Sequence, residues 1–450
     1  MLGNAQPRHL PDNRLGEGAR LARDHGARHD TRMPEVSRQT VRDNAVAASR
    51  KQFLMVDQTV YLVAIAIAGL AACGNPGGTT AANKPDKVQI AAEGPFTGAQ
   101  ASIGAGALQA IKLALDDFNK KGGIHGTRVE LVIWDDAHNA ETAKRLQAGA
   151  LSDPKILGIV GPMNSGVVEA SEPGLESANP PLPFVTESAS ATRVTDAGFS
   201  VAHRVNARDD VQAAVDGKFM IDQGAKRVEI LDSATDYSRP LADAVVSYLK
   251  SNAPSIVIDR NSARNGQKDF GTLVTRIKSF NADWVFFADE GTETAPLVQQ
   301  MAHANLKIGQ NIQFLGTDGE NDPSIITTSQ GAYLGAYASN ITPDPQSLPS
   351  AARFVAAFEA EYGSDAISKA GPFYGSAYAA TEVLLQAISS AAVNNRKISR
   401  ADVINHLGSD TFTTILGLIK FDRKGDVPNA TVGIFQAKGT QMVAVKQPTG

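Results

Sequence analysis

The sequence predicts an α/β protein made of two doubly wound parallel-sheet lobes. From Lys87 onward, short apolar runs alternate with amphipathic segments that are long enough for helices, and this alternation is typical of right-handed βαβ units. The same rhythm begins again after residues 201–206, which indicates a second lobe of similar architecture. With 450 residues, the chain is long enough for two or three domains that each bury a core.

In the first set of elements, the helix predicted at 101–121 has the clearest pattern. Ile103, Ala107, Ile111 and Leu115 fall on one face at helical spacing, and the glycine pair at 122–123 ends the helix. Short apolar runs that end in polar loops predict strands at 88–92, 129–134, 156–160 and 183–185, with a further helix at 140–151.

The second set repeats this pattern before it becomes less regular. Phe270, Val274 and Ile277 form the apolar stripe of one helix, and the aromatic and β-branched run 283–288 predicts a buried strand. Prolines at 343–349 indicate a surface loop. The remaining helices are expected at 211–223, 295–305, 351–362, 372–392 and 400–407, and the remaining strands at 227–231, 255–259, 312–317, 419–421, 433–436 and 442–445.

The first 86 residues do not follow the α/β rhythm. Residues 1–50 are polar, with nine arginines and no lysine, which predicts a disordered segment or a start site assigned too early, with the genuine start near Met55. The apolar run 59–73 is too short to span a bilayer comfortably and ends in small residues, so we expect an export signal over 51–73. Residues 74–86 have the composition of a flexible tether.

Cys73 is the only cysteine of the chain and closes this export signal. The sequence Leu-Ala-Ala-Cys at 70–73 resembles the bacterial lipobox, whose cysteine is acylated. We therefore expect an extracytoplasmic protein that is anchored to a membrane through Cys73, and a buried structural cysteine is the alternative. The formal charge of −4 and the lack of a basic stripe in the body of the chain argue against nucleic acid as a partner.

Three serines stand where two predicted parallel strands end. Ser165 falls at the start of the helix after strand 156–160, and Ser188 and Ser190 fall on the loop after strand 183–185. Loops at the carboxyl ends of such strands form ligand crevices, and hydroxyl groups next to unpaired helix amides can hold an anion. The alternative is that Ser165 only caps its helix and the serine-rich loop is only a turn.

Four phrases of the sequence together resemble a known family. They are Gly-Pro-Phe-Thr-Gly at 94–98, the stretch 118–136 with its Gly-Gly-Ile-His-Gly and Trp-Asp-Asp, Lys-Asp-Phe-Gly-Thr-Leu-Val at 268–274, and the stretch 417–426. Their order and spacing resemble the leucine/isoleucine/valine-binding protein family of type I periplasmic binding proteins, the solute-binding lipoproteins of branched-chain amino-acid ABC importers.

The resemblance implies two lobes joined by a three-strand hinge that closes over a ligand. We expect the chain to cross between lobes near Arg208, Ile341 and Asn429. Lobe 1 would then comprise 87–207 and 342–428, and lobe 2 would comprise 208–341 and 429–450. The implied protein is a monomer without cofactor that delivers its solute to an ABC permease.

The resemblance also implies roles for site residues. Ser165, Ser188 and Ser190 match the groups that bind the ligand carboxylate. Asp318 matches the acid that binds the ligand ammonium, which is glutamate in leucine-binding members, and Tyr237 matches a pocket tyrosine. For Asp318 the alternative is a residue that caps a turn.

The sequence departs from the family pattern at other positions of the expected pocket. Glu290 stands near an expected tyrosine, Ile103 is close to an expected aromatic residue, and Phe373 or Tyr374 could supply a wall from lobe 1. An acid at Glu290 predicts a polar or cationic amino acid, or an amide or urea-like solute, unless it is only a solvated loop residue.

Two competing functions are an enzyme and a ligand sensor. The sequence contains no phosphate-binding loop, nucleophile elbow or zinc-protease motif. Asp135, Asp136 and His138 could hold a metal, but acids before a helix more often cap it, so neither an enzyme nor a metal site is expected. A sensor of the same fold that signals through a receptor stays open as the alternative to transport.

Overall fold

A computed structural model of the protein describes residues 87–392 and 397–446. The predicted extension 1–50, the export signal with Cys73 and the tether 74–86 lie outside these residues and stay predictions. In the described part of the chain, no helix combines the length and the apolar character that a membrane crossing requires.

The first sheet is built from strictly alternating strands and helices. In chain order these elements are β1 (Val88–Gly94), α1 (Ala101–Lys120), β2 (Val129–Asp135), α2 (Ala140–Leu151), β3 (Ile156–Val160), α3 (Ser165–Ser177), β4 (Phe184–Thr186), α4 (Arg193–Asp196) and β5 (Ala202–Arg204). All five strands pair in parallel, in the order β2-β1-β3-β4-β5. The order reverses between β1 and β3, so the loops after these strands diverge and leave a crevice.

The second sheet follows the same plan and then gains two antiparallel strands. Its elements are α5 (Asp209–Asp222), β6 (Arg227–Asp232), α6 (Ser238–Asn252), β7 (Val257–Ser262), α7 (Gly271–Phe280), β8 (Trp284–Ala288), α8 (Thr294–His303), β9 (Gln313–Gly316), α9 (Ser324–Thr328) and β10 (Tyr337–Asn340). These strands pair in parallel and reverse their order between β6 and β8. A second crevice therefore opens beyond β6 and β8.

The chain then returns to the first sheet before it finishes on the second. The returning elements are α10 (Ala352–Tyr362), α11 (Tyr374–Ala391), α12 (Arg400–Ser409), the hairpin strands β11 (Phe412–Thr414) and β12 (Gly417–Ile419), and finally β13 (Gly433–Lys438) and β14 (Gln441–Lys446). Phe354, Leu384 and Val403 share one buried cluster with Ile90 and Ala107 of the first lobe. β13 pairs antiparallel with β10, and β14 pairs with β13. The chain thus passes between the sheets after β5, after β10 and after β12.

Both faces of the second sheet are covered, as a doubly wound lobe requires. Along β8, Val285 and Phe287 pack into one buried cluster, whereas Trp284 and Phe286 pack into a separate cluster on the opposite face. Successive side chains of a strand point to opposite faces, so a strand buried on both sides reads as continuously apolar. This explains why the run 283–288 predicted a buried strand.

The predicted fold class is confirmed, and the differences concern the ends of elements and short elements that were not predicted, such as β5 and β10. The strand expected at 255–259 lies at Val257–Ser262, and the one expected at 419–421 lies at Gly417–Ile419 as half of a short hairpin. The helix expected from 351 begins at Ala352 because Pro349–Ala351 forms a 3₁₀ turn. The antiparallel edge formed by β13 and β14 has no counterpart in the βα rhythm, which predicts parallel pairs only.

Candidate functional site

A cavity with an empty volume of about 370 Å³ lies where loops of the two lobes face each other. Seven of the predicted site residues line it, namely Ser165, Ser188, Ser190, Tyr237, Glu290, Asp318 and Phe373. Tyr374 does not line this cavity but a neighbouring one, so the lobe 1 wall is Phe373. Further lining residues are Gln100, Ile103, Met163, Asn164 and Gly319.

The first lobe presents hydroxyl groups at the start of α3 and on the loop after β4. Ser165 Oγ accepts a hydrogen bond from the Ala191 amide at 3.2 Å, which leaves the Ser165 hydroxyl hydrogen free to be donated to a ligand. Ser190 Oγ is buried, and its hydroxyl lies beside the Asp209 carboxylate, whose pKa it helps to lower. Ser188 Oγ donates to the Met163 carbonyl oxygen at 2.7 Å, so this hydroxyl holds the two loops together.

The serine loop is held from behind by Arg204, a residue that sequence reasoning did not identify. Its guanidinium is fully buried and donates to the carbonyl oxygens of Ala189 and Ala191 at 3.1 and 3.0 Å. Its Nε also pairs with Asp426 Oδ1 at 2.6 Å. The positions of the Ser188 and Ser190 side chains therefore depend on a buried ion pair that reaches the returning part of the chain.

The second lobe presents Asp318 directly after β9. Its Oδ1 accepts hydrogen bonds from Tyr237 Oη at 2.5 Å and from Gln212 Nε2 at 2.8 Å. Burial raises the pKa of Asp318, and the hydrogen bonds from Tyr237 and Gln212 oppose that rise. Gln212 is itself fixed by a 2.9 Å hydrogen bond to Ser339. Asp318 is therefore a positioned acid and does not serve only to cap a turn.

Glu290, after β8, reaches from the second lobe to the first. Its Oε1 accepts from Asn164 Nδ2 at 3.2 Å, and its Oε2 lies 3.4 Å from His138 Nε2. The Glu290 side chain is only 12% exposed, so it is not a solvated loop acid. Burial lowers the pKa of His138, but Glu290, Asp136 and Glu293 outweigh that effect and raise it. His138 Nε2 thus faces the Glu290 carboxylate across the cleft.

The backbone that carries His138 adopts an unusual conformation. Ala137 and His138 both lie in the left-handed region, with φ of 49° and 61°, where residues other than glycine are uncommon. Asp135 Oδ1 accepts from the Ala137 amide at 3.1 Å, and Asp136 Oδ1 accepts from the His138 amide at 2.8 Å. The two acids therefore stabilise the conformation of this loop, while Asn139 caps α2.

Across 87–392 and 397–446, no group of three or more His, Cys, Asp or Glu side chains could hold a metal ion.

Gly319 allows the two acid-bearing loops of the second lobe to approach each other. A Cβ atom at this position would lie 2.9 Å from the Asp289 carbonyl oxygen and equally close to the Glu290 backbone. Any larger residue would therefore push the loop of Asp318 away from the loop of Glu290. This close approach brings both acids to one cavity, and no pattern within either loop predicts it.

Comparisons with known proteins extend over the whole α/β part of the chain. A sequence profile described as periplasmic binding protein matches residues 87–441. An amino acid binding protein of Pseudomonas aeruginosa is 29% identical over 357 residues, which cover 78% of this chain and 90% of that protein. The Leu/Ile/Val-binding protein of Escherichia coli strain K12 is 26% identical over 359 residues, with 79% and 92% covered.

A solved structure gives the same result for the fold. A leucine binding protein from Thermotoga maritima matches with a TM-score of 0.70 at 26% identity, covering 79% of this chain and 97% of that chain. Because almost the full length of that protein is covered, the similarity includes both sheets and the segments that connect them.

Proposed function

This chain belongs to the periplasmic binding protein family, and from that premise we propose that it captures an amino acid in the cavity between its lobes. Membership confirms the predicted resemblance and identifies a solute-binding protein that acts outside the cytoplasm, not an enzyme. The observation that carries the proposal is that Ser165 and Ser190 of one lobe and Asp318 of the other line the same cavity.

The chemistry of an α-amino acid matches this placement. Its carboxylate needs hydrogen-bond donors, which the Ser165 and Ser190 hydroxyls and the free amides at the start of α3 supply. Its ammonium needs a carboxylate, which Asp318 supplies. Tyr237 and Gln212 hold Asp318 in place before a ligand arrives, so little ordering is required on binding.

Placing the two sets of groups on different lobes links binding to closure. An amino acid that contacts both sets is held more tightly in the closed state than in an open one, and this difference in affinity is what drives closure. The closed form would then be recognised by an ABC permease that imports the solute.

The proposal is tested by isothermal titration calorimetry of the protein with the twenty amino acids. We expect at least one of them to bind, and its 2-hydroxy acid analogue, which lacks the ammonium, to bind far more weakly. The proposal fails if none of the twenty binds, or if the hydroxy acid binds as tightly as the amino acid.

The solute affinity is expected to fall at acidic pH. The carboxylate form of Asp318 binds an ammonium and the protonated form does not, so lowering the pH through the raised pKa of Asp318 makes protons compete with the solute. The dissociation constant should rise by at most about tenfold per pH unit for one linked proton. Calorimetry from pH 8 down to the lowest pH at which the protein stays folded measures this.

An acid outside the cavity provides the control for this pH dependence. Burial raises the pKa of Glu229, on β6, to about 7, so Glu229 titrates within the range measured. The variant Glu229→Gln should keep the dependence if Asp318 is responsible. An affinity that stays constant over the whole range would contradict the assignment.

We also propose that Cys73 carries a lipid that holds the protein at a membrane. The support is the lipobox-like sequence and the position of the only thiol. Expressed as the full chain in a bacterial host, the wild type is expected in the membrane fraction and the Cys73→Ser variant in the soluble fraction. Equal distribution of both proteins would contradict the anchor.

A further inference from the structure

One wall of the cavity carries three polar side chains that the amino-acid backbone of a solute would not use. Gln100, Asn164 and Glu290 line the cavity together with the apolar Ile103 and Met163. Asn164 lies before α3 but makes no helix-capping hydrogen bond with its side chain. Asn164 directly precedes Ser165, and Gly319, next to Asp318, lies against the Glu290 backbone, so this wall lies beside the groups assigned to the carboxylate and ammonium.

The orientation of the Asn164 amide follows from Glu290. A carboxylate only accepts hydrogen bonds, so the group 3.2 Å from Glu290 Oε1 must be the Asn164 NH₂. The same nitrogen donates to Gln100 Oε1 at 2.8 Å. Asn164 Oδ1 is consequently left as an acceptor, and it is buried without a partner in the described protein.

The orientation of Gln100 follows in turn. Its oxygen receives the hydrogen bond from Asn164, so its NH₂ group is the end left to donate. Gln100 lines the cavity, so this NH₂ group can donate to a solute there. The wall thus offers one acceptor, Asn164 Oδ1, and one donor, Gln100 Nε2.

The charge of Glu290 does not call for a cationic solute. His138 faces one carboxylate oxygen, and Asn164 donates to the other. A cationic solute beside this pair would meet a carboxylate whose two oxygens already have partners in His138 and Asn164. The two groups that this wall still offers, Asn164 Oδ1 and Gln100 Nε2, favour a neutral solute side chain that both donates and accepts hydrogen bonds.

We propose that the solute is an amino acid with a carboxamide side chain. Its amide NH₂ donates to Asn164 Oδ1, its amide oxygen accepts from Gln100 Nε2, and its methylenes contact Ile103 and Met163. This inference rests on the proposed function, because it concerns the side chain of the amino acid bound in the same cavity.

Calorimetric competition between solutes of the same shape tests the inference. L-Asparagine and L-leucine have nearly the same shape, as do L-glutamine and L-methionine, so each pair differs mainly in hydrogen bonding. We expect the tighter-binding amide to exceed its apolar counterpart at least tenfold, because the apolar side chain leaves Asn164 Oδ1 and Gln100 Nε2 unpaired.

The outcomes separate this inference from the proposed function. Leucine or methionine binding as tightly as the amides, or lysine or arginine binding more tightly than they do, would overturn the carboxamide while leaving amino-acid binding intact. Failure of every amino acid to bind would overturn the proposed function itself.

Two variants test whether the preference for an amide over its apolar counterpart arises from Asn164 and Gln100. Asn164→Leu and Gln100→Met should each reduce the preference for the amide over its apolar counterpart by at least fivefold. Gln310→Met changes an exposed glutamine outside the cavity and should leave the ratio unchanged. Unchanged ratios in both wall variants would also overturn the inference. If a wall variant does not fold, the wild-type competition still decides.

Discussion

Replacing Asp318 with asparagine should nearly abolish binding of the amino-acid solute. The substitution keeps the size of the side chain and removes its charge, so the solute ammonium would be enclosed opposite a neutral amide. Truncating one partner of a buried charge pair costs about 2–5 kcal/mol, which corresponds to roughly a 30- to 4,000-fold weaker dissociation constant. Isothermal titration calorimetry at pH 8 measures the loss.

The neighbours of Asp318 make this effect specific. In the variant, Tyr237 Oη and Gln212 Nε2 can still donate to the oxygen of the substituted amide, so the loop should keep its position. Burial of Asp318 is itself unfavourable when the acid is ionised, so we expect the variant to melt at the same temperature as the wild type or above it.

An exposed acid of the same lobe provides the control. Asp243 has a side chain that is 69% exposed and pairs with Arg260 at the surface, so Asp243→Asn should change the solute affinity less than twofold. A loss of less than fivefold in Asp318→Asn would show that the ammonium is bound elsewhere.

The fold was predictable because the spacing of apolar residues along the sequence indicates which side chains are buried. In an α/β protein, this pattern of burial distinguishes the helices from the strands. The stripe of Ile103, Ala107 and Ile111 predicted α1 almost to the residue. Element ends were less predictable because capping turns and short hairpins depend on tertiary contacts. The shift of the last lobe 1 strand to Gly417–Ile419 is an example, since its register is fixed by pairing with Phe412–Thr414.

Candidate site residues were predictable where they follow strands in a recognised order. Ser165, Ser190 and Asp318 all line the cavity as expected. The pairing of Glu290 with His138 was not predictable, because it joins loops from different lobes and depends on the left-handed backbone at His138. Asn164 and Gln100 carry no signal of their own, since each becomes a site residue only through the hydrogen bond between them.

Replacing Arg204 with methionine should destabilise the protein more than any surface substitution. The guanidinium is 0% exposed and forms a buried ion pair with Asp426, while also donating to Ala189, Ala191 and Thr195. Methionine fills much of the same volume but supplies no donor, so several buried oxygens lose a partner. Removing one member of a buried ion pair costs about 3–5 kcal/mol of unfolding free energy, which urea unfolding measures.

A surface arginine provides the matched comparison. Arg128 pairs with Asp116 at 3.6 Å, and both side chains are exposed, by 71% and 42%; exposed ion pairs contribute about 0–1 kcal/mol. Arg128→Met should therefore lower the unfolding free energy by less than about 1 kcal/mol. A similarly small loss in Arg204→Met would mean that the buried pair contributes no more than this surface pair.

The Arg204 network also connects stability to solute binding. Asp426, which pairs with Arg204, also accepts from Arg208 Nη1 at 2.8 Å, and Arg208 stands where we expect the chain to leave lobe 1. Arg204→Lys keeps the charge but cannot donate to Ala189, Ala191 and Asp426 at once, so it should recover part of the stability and less of the affinity. Recovery of both the stability and the solute affinity to the wild-type level would show that only the charge of Arg204 matters. Its hydrogen bonds to the loop that carries Ser190 would then not be required.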